Sequence, residues 1–185
     1  MRFLNFWQHL DELDYHSVGI FAGRFQPFHN GHASIIEHLQ KNHHLSYVFV
    51  VSGEKSSKDT LRNPLPQNVR INLIENFTSN SNVCVLAANS PYIPSLITNV
   101  YPEINKTIKE GNSKVVVYSG DDRSTDYNRF VSNLQESGID AEARTMNFDR
   151  DLVSGTKVRE LLISKNFDEA QKYLPYDIEL IKEYF

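Results

Sequence analysis

Apolar residues along this chain alternate between two spacings. Compact runs rich in valine and isoleucine lie at residues 17–22, 47–51, 83–88 and 114–118, and with a shorter segment around 141–146 they predict five short strands. Between them the apolar positions recur at helical spacing. Residues 30–41 would bury Ala33, Ile36 and Leu39, and the helical pattern resumes through Val69, Ile71, Leu73, Ile74 and Phe77. Residues 91–110 read as mostly helical, broken or bent at Pro94 and Pro102, and residues 126–137 as another helix. Three helices near 157–164, 167–173 and 177–184 finish the chain. Ahead of the first strand, Phe3, Phe6, Trp7, Leu10 and Leu13 form a short amphipathic preface.

Strands alternating with helices predict an α/β fold, a Rossmann-like doubly wound parallel five-stranded sheet with helices on both faces and extra C-terminal helices. With no internal repeat and no linker, residues 17–185 read as one domain behind an N-terminal extension of 1–16. Sheets of this kind bind ligands beyond the carboxyl ends of their strands, near the point where strand order reverses. That edge should carry residues 23–32, 53–67, 89–92 and 119–122. The polar stretch from Glu54 to Gln67 holds Pro64 and Pro66 and reads as a long loop, a form common in lids and binding segments.

Composition narrows the classes. The chain has 185 residues, 40% of them hydrophobic and 23% charged, so it can form a full core without disulfides. A net charge of −4 gives no general attraction to nucleic acid or to an anionic membrane, so any anion must be held by a local site. The single cysteine, Cys84, lies in an apolar run and reads as a buried thiol, which leaves no disulfide framework and no cysteine-based zinc site. No apolar run is long enough for a membrane span, and Asp11, Glu12 and Asp14 follow the first residues too closely for a signal peptide. A cytoplasmic protein is expected; a homo-oligomer is left open.

Two motifs carry candidate chemistry. The first, Gly23-Arg24-Phe25-Gln26-Pro27-Phe28-His29-Asn30-Gly31-His32, joins the first strand to the first helix. Gly23 would supply an unusual backbone angle, Pro27 would stiffen the approach, and Gly31 would let a phosphate come close to the backbone. His29 and His32 would face one point at the positive end of the helix dipole, where free N–H groups favour anions. A zinc site from His29, His32 and His38 has the wrong spacing, so no metal site is expected, and His9, His16, His38, His43 and His44 read as surface composition. The second motif is Val153-Ser154-Gly155-Thr156-Lys157-Val158-Arg159. Ser154 and Thr156 suit a helix N-cap, either as a plain cap or as a second phosphate cradle with Arg159 as a forked donor. Lys157 reads as facing solvent.

Together these strings resemble the nucleotidyltransferases that pair a His-x-Gly-His motif with a later Ser-x-Thr-x-x-Arg motif. Residues 29–32 and 154–159 match both without gaps. Within that superfamily, Gly23 to His29 and the later Leu61-Arg62-Asn63-Pro64 with Arg70 are most similar to archaeal-type nicotinamide-mononucleotide adenylyltransferases. The resemblance implies attack of a substrate phosphate on the α-phosphorus of magnesium-bound ATP, with pyrophosphate leaving. His29, His32, Arg24 and Arg159 would be catalytic. Gly23, Phe25, Gly120, Asp121, Ser154, Gly155 and Thr156 would join them in binding the nucleotide. Asn63, Arg70 and Tyr92 would meet the acceptor, nicotinamide mononucleotide. Asp121 and Asp122 are read equally as magnesium supports and as a solvated pair. The group's mid-chain tryptophan is missing here, the only one being Trp7; Tyr92, Tyr127 or Phe130 would have to supply a stacking ring. The alternatives are cytidylyl or adenylyl transfer to a phospho-alcohol or phosphopantetheine, and a non-catalytic nucleotide sensor.

Overall fold

The computed structural model describes residues 14–53, 61–79, 81–120, 124–146 and 154–185. The amphipathic preface up to Leu13, the loop stretch 54–60 and the Asp121–Asp122 pair lie outside them. Strands β1 (Asp14–Gly23), β2 (His43–Val51), β3 (Val83–Ala88), β4 (Lys114–Gly120) and β5 (Ala141–Met146) form one sheet in the order β3-β2-β1-β4-β5. Every pairing is parallel, with Val18 beside Leu45 on one side of β1 and beside Val115 on the other. The chain therefore winds outward from β1 to β3, returns to β4, and winds outward again. Strand order reverses between β1 and β4.

Strand side chains alternate between two cores, as a sheet covered on both faces requires. Phe21, Val48, Val50, Val116 and Tyr118 pack under α1 (Asn30–Asn42), α2 (Gln67–Phe77), α6 (Gly155–Ile163), α7 (Phe167–Gln171) and the chain end. Val18, Ile20, Phe49, Val115 and Val117 pack under α3 (Ile93–Ser95), α4 (Pro102–Glu110) and α5 (Ser124–Glu136). Ala33, Ile36 and Leu39 of α1 are buried, as their spacing predicts.

Several details differ from the sequence expectations. Pro94 does not break a helix; it occupies the first turn of α3, where its missing N–H costs no hydrogen bond. α3 then widens into a π-type turn over Leu96–Val100, and Pro102 starts α4 afresh. The expected final helix is two short 3₁₀ turns, Ile178–Leu180 and Lys182–Tyr184. Cys84 is exposed rather than buried. Its strand is a sheet edge, and the helices on that face reach Leu86 and Ala88 without covering it. His43, expected at the surface, is buried at the start of β2. Its Nδ1 meets Ser17 Oγ at 2.8 Å and its Nε2 meets the Tyr118 hydroxyl at 2.8 Å. Gly19 makes the room, since a Cβ there would lie 2.7 Å from the His43 ring and 2.5 Å from Leu39.

Candidate active site

β1 runs directly into the first motif. The unusual backbone angle expected at Gly23 belongs instead to Phe25, at φ 50°. Gly23 contributes space: a Cβ on it would press to 3.0–3.2 Å from the Phe25 ring. A bulky residue in the left-handed region is strained by about 1–3 kcal/mol, and it persists only where its surroundings fix it. Here the ring is buried, edge-on to Phe21 at 5.4 Å and to His32 at 4.9 Å. Burying a phenylalanine contributes about 1.5–3 kcal/mol, enough to offset that strain. Phe25 thus supports His32 from behind. The Gln26–Pro27 peptide that follows is cis.

His29 is the N-cap of α1, in extended conformation, and is 8% exposed. Its backbone N–H donates to His32 Nδ1 at 3.4 Å. A histidine at the third helical position thereby fills the capping role usually taken by Glu or Gln. That bond makes His32 Nδ1 an acceptor and puts the ring proton on Nε2. The two rings stack at 3.7 Å with 22° between their planes. His29 Nδ1 is buried and has no hydrogen-bond partner among the described residues. The C-terminal segment pins the start of α1 from outside, with Asn30 N donating to Tyr173 O at 2.9 Å and Asn30 Nδ2 to Lys172 O at 3.1 Å.

The second motif arrives at the same point. Ser154 N-caps α6, its hydroxyl accepting from Lys157 N at 3.0 Å. A Cβ built on Gly155 would lie 3.5 Å from His29 Nε2 and 3.6 Å from Arg159 Nη1, so the bare glycine separates the two motifs by little more than van der Waals contact. Arg159 spans them: Nη1 donates to Gln26 O at 2.6 Å and Nη2 to Thr156 Oγ1 at 3.1 Å. Lys157 does not simply face solvent; its ammonium lies over the Tyr173 ring at 4.9 Å from the centroid. Two helix N-termini, two imidazoles and a guanidinium therefore converge, which suits a ligand carrying several negative charges.

Both histidines are held neutral. Burial, reinforced by the nearby Arg159 charge, lowers the His29 pKa to about 4. Burial and then His29 itself hold His32 well below the ordinary value. Near neutral pH the rings thus act as hydrogen-bonding groups, and Arg159 carries the charge. The unfolded chain, with imidazoles near 6.5, binds more protons than the folded one between about 6.5 and about 4. Stability is full above that window and falls as pH drops through it. The expected result is a smaller loss of melting temperature between about pH 7.5 and about pH 4.5 in His29→Gln than in the unmutated protein. Equal losses would contradict the buried neutral ring.

The acceptor-side candidates are less closely gathered. Arg70 does not present its guanidinium to a ligand. It is 2% exposed, and it donates from Nε to Leu65 O at 3.1 Å and Pro66 O at 3.3 Å, and from Nη1 to Val51 O at 3.0 Å and to Arg24 O. Burial and the Arg24 charge lower its pKa to about 10. Arg24 itself has an exposed side chain, and Asn63 is half-buried in the segment leading to α2. Tyr92 follows β3 and is exposed; its hydroxyl accepts from Asn133 Nδ2 at 2.6 Å and its ring stands edge-on to Phe130 at 5.4 Å. Tyr127 is a core residue whose hydroxyl donates to Ala22 O at 3.0 Å, so it is not available to stack on a ligand. Gly120 ends β4 at the same sheet edge. Among the described residues no cluster of three His, Cys, Asp or Glu side chains could hold a metal, and no helix is long and apolar enough to cross a membrane.

The cytidylyltransferase-like family matches residues 20–161, from β1 into α6, and so encloses both motifs. The nicotinamide-nucleotide adenylyltransferase of Sulfurisphaera tokodaii is 30% identical over 148 residues, covering 80% of this chain and 80% of that protein. Solved structures share the fold, two of them as follows. Plasmodium falciparum nicotinic acid mononucleotide adenylyltransferase, complexed with APC, reaches a TM-score of 0.59 at 18% identity over 92% of this chain and 96% of that one. The bifunctional NMN adenylyltransferase/ADP ribose pyrophosphatase from Francisella tularensis reaches 0.53 at 20% identity, covering 80% of this chain. This chain spans 42% of the length of that bifunctional structure.

Proposed function

This chain belongs to the cytidylyltransferase-like family, and from that premise we propose that it transfers the adenylyl group of ATP to nicotinamide mononucleotide, giving NAD and pyrophosphate. The observation that carries the reading is the convergence of His29, Gly155 and Arg159 at two helix N-termini. Such a cradle fits a triphosphate and the charge that builds on it during transfer. A phosphate oxygen of the acceptor attacks the α-phosphorus in line. The bond from that phosphorus to the bridging oxygen breaks, and its electron pair leaves on pyrophosphate. No covalent enzyme intermediate is needed, and positioning with electrostatics carries the catalysis.

In this reading the neutral His32 donates from Nε2 to the nucleotide's oxygens, and His29 presents its ring beside it. Arg159, Thr156 and Ser154 hold the outer phosphates, with Arg24 adding charge at the rim. Magnesium enters as part of the substrate, MgATP, bound chiefly to phosphate oxygens and water. Asn63 and Tyr92, on the segments after β2 and β3, are the candidates for the acceptor side. The relative from Sulfurisphaera tokodaii, a nicotinamide-nucleotide adenylyltransferase, supports the choice of acceptor.

The test is initial-rate pyrophosphate release from ATP and from CTP across nicotinamide mononucleotide, nicotinate mononucleotide, phosphopantetheine and a phospho-alcohol. The expected result is the highest kcat/KM for ATP with nicotinamide mononucleotide. A preference for CTP or for a non-pyridine acceptor would overturn the reading.

A further inference from the structure

Gln26 is buried in the middle of the first motif, yet its side chain belongs to neither phosphate cradle. Its amide and the Leu65 peptide exchange two hydrogen bonds: Gln26 Nε2 donates to Leu65 O at 2.7 Å, and Leu65 N donates to Gln26 Oε1 at 3.1 Å. A single side chain thus reproduces the reciprocal pairing of two strands. Leu65 is itself sunk in the core beneath α1 and α2, and Arg70 Nε donates to the same Leu65 carbonyl. Gln67 Nε2 fixes the end of the segment, donating to Val50 O at 2.7 Å and Ala88 O at 3.0 Å. On its other side, the Gln26 carbonyl accepts from Arg159 Nη1 at 2.6 Å.

We propose that Gln26 is a positioning residue that couples the two substrate sides of the site. Its carbonyl holds Arg159 on the triphosphate side, and its amide holds segment 61–67, which carries Asn63, on the acceptor side. This rests on the adenylyltransferase reading. A phosphate that engages Arg159 competes for, or redirects, the donor now on the Gln26 carbonyl. The resulting movement passes through one residue to a buried amide pair that water cannot replace without cost. Binding on either side then changes affinity on the other, and by the same factor in both directions.

A purely structural glutamine would lower stability and leave that factor alone, so the readout is the factor itself. The dissociation constant of nicotinamide mononucleotide is measured calorimetrically with and without saturating α,β-methylene ATP. In the unmutated protein the analogue should tighten the mononucleotide by about tenfold, within the usual span of such couplings. Gln26→Met keeps the length and removes both bonds of the pair. It should reduce the ratio to about twofold or less while changing affinity for the analogue alone by less than about threefold. Arg159→Ala should also collapse the ratio, with no further loss in the double variant.

A Gln26→Met protein that keeps the full ratio, or an unmutated protein with a ratio of one, overturns the proposal. If Gln26→Met does not fold, Gln26→Glu decides it, since it keeps an acceptor for Leu65 N and sets an oxygen against Leu65 O. If neither folds, hydrogen exchange at Leu65 in the unmutated protein decides instead: protection that rises with the analogue supports coupling, and unchanged protection overturns it. An unmutated protein that binds neither probe shows a different failure, that of the adenylyltransferase reading, which takes this proposal with it.

Discussion

Replacing His29 or His32 with alanine lowers turnover by about a hundred- to a thousandfold, the range for losing one donor to developing charge. That range corresponds to about 2.7–4 kcal/mol of transition-state stabilisation. The rings stack at 3.7 Å, so each helps hold the other in place, while the His29 backbone N–H that donates to His32 Nδ1 stays in His29→Ala. The double variant should therefore lose far less than the product of the two single losses, because groups that act as a unit are not additive. The fold should survive. His29 is a cap with no partner at Nδ1 among the described residues, and the His32 ring is supported by Phe21, Phe25 and Phe28, which remain. Steady-state kinetics beside far-UV circular dichroism checks this. Near-normal rates in both folded variants would remove the histidines from the mechanism.

The second large effect is at Arg159. Arg159→Ala should weaken ATP about ten- to a hundredfold, the size of a charge-assisted hydrogen bond of about 1.5–3 kcal/mol, and weaken nicotinamide mononucleotide much less. Ser154 and the start of α6 stay in place, so binding falls without vanishing. Arg159→Lys restores the charge but not the fork that now reaches Gln26 O and Thr156 Oγ1 together, so it should rescue only partly. Removing the guanidinium also removes one of the two causes that depress the His29 pKa, so that ring should titrate at a higher pH in Arg159→Ala. Equal and small changes for both substrates would reduce the second motif to an ordinary helix cap.

The fold was readable because the central strands are near-continuous apolar runs, as in Tyr47–Val51 of β2. The edge strands Val83–Ala88 and Ala141–Met146 also have the bounds predicted for them. β1 and β2 begin earlier than predicted, at Asp14 and His43, which pair with each other ahead of the apolar runs. His43 looked like surface composition because its partners Ser17 and Tyr118 lie 26 and 75 residues away in sequence. The same limit applies to Arg70: a cation in the helix after Asn63-Pro64 reads as an acceptor contact until Leu65, Val51 and Arg24 are seen to turn their carbonyls toward it. Cys84 reads as buried in any apolar run, and only strand order reveals it on an edge. The two motifs were legible as strings of residues with matching chemistry. Their meeting, where Arg159 Nη1 donates to Gln26 O at 2.6 Å, is a property of the doubly wound sheet, which brings α1 and α6 to one end. Gln26 had no signal of its own beyond its place between Phe25 and Pro27.

The most direct test of the adenylyl transfer follows the α-phosphorus. The protein is incubated with nicotinamide mononucleotide and ATP labelled at the α-phosphate, and products are separated and weighed by mass spectrometry. The expected result is labelled NAD appearing in step with unlabelled pyrophosphate, one for one, with no labelled protein at any time. Label found in free AMP or ADP, or retained in ATP while pyrophosphate fails to appear, would contradict it.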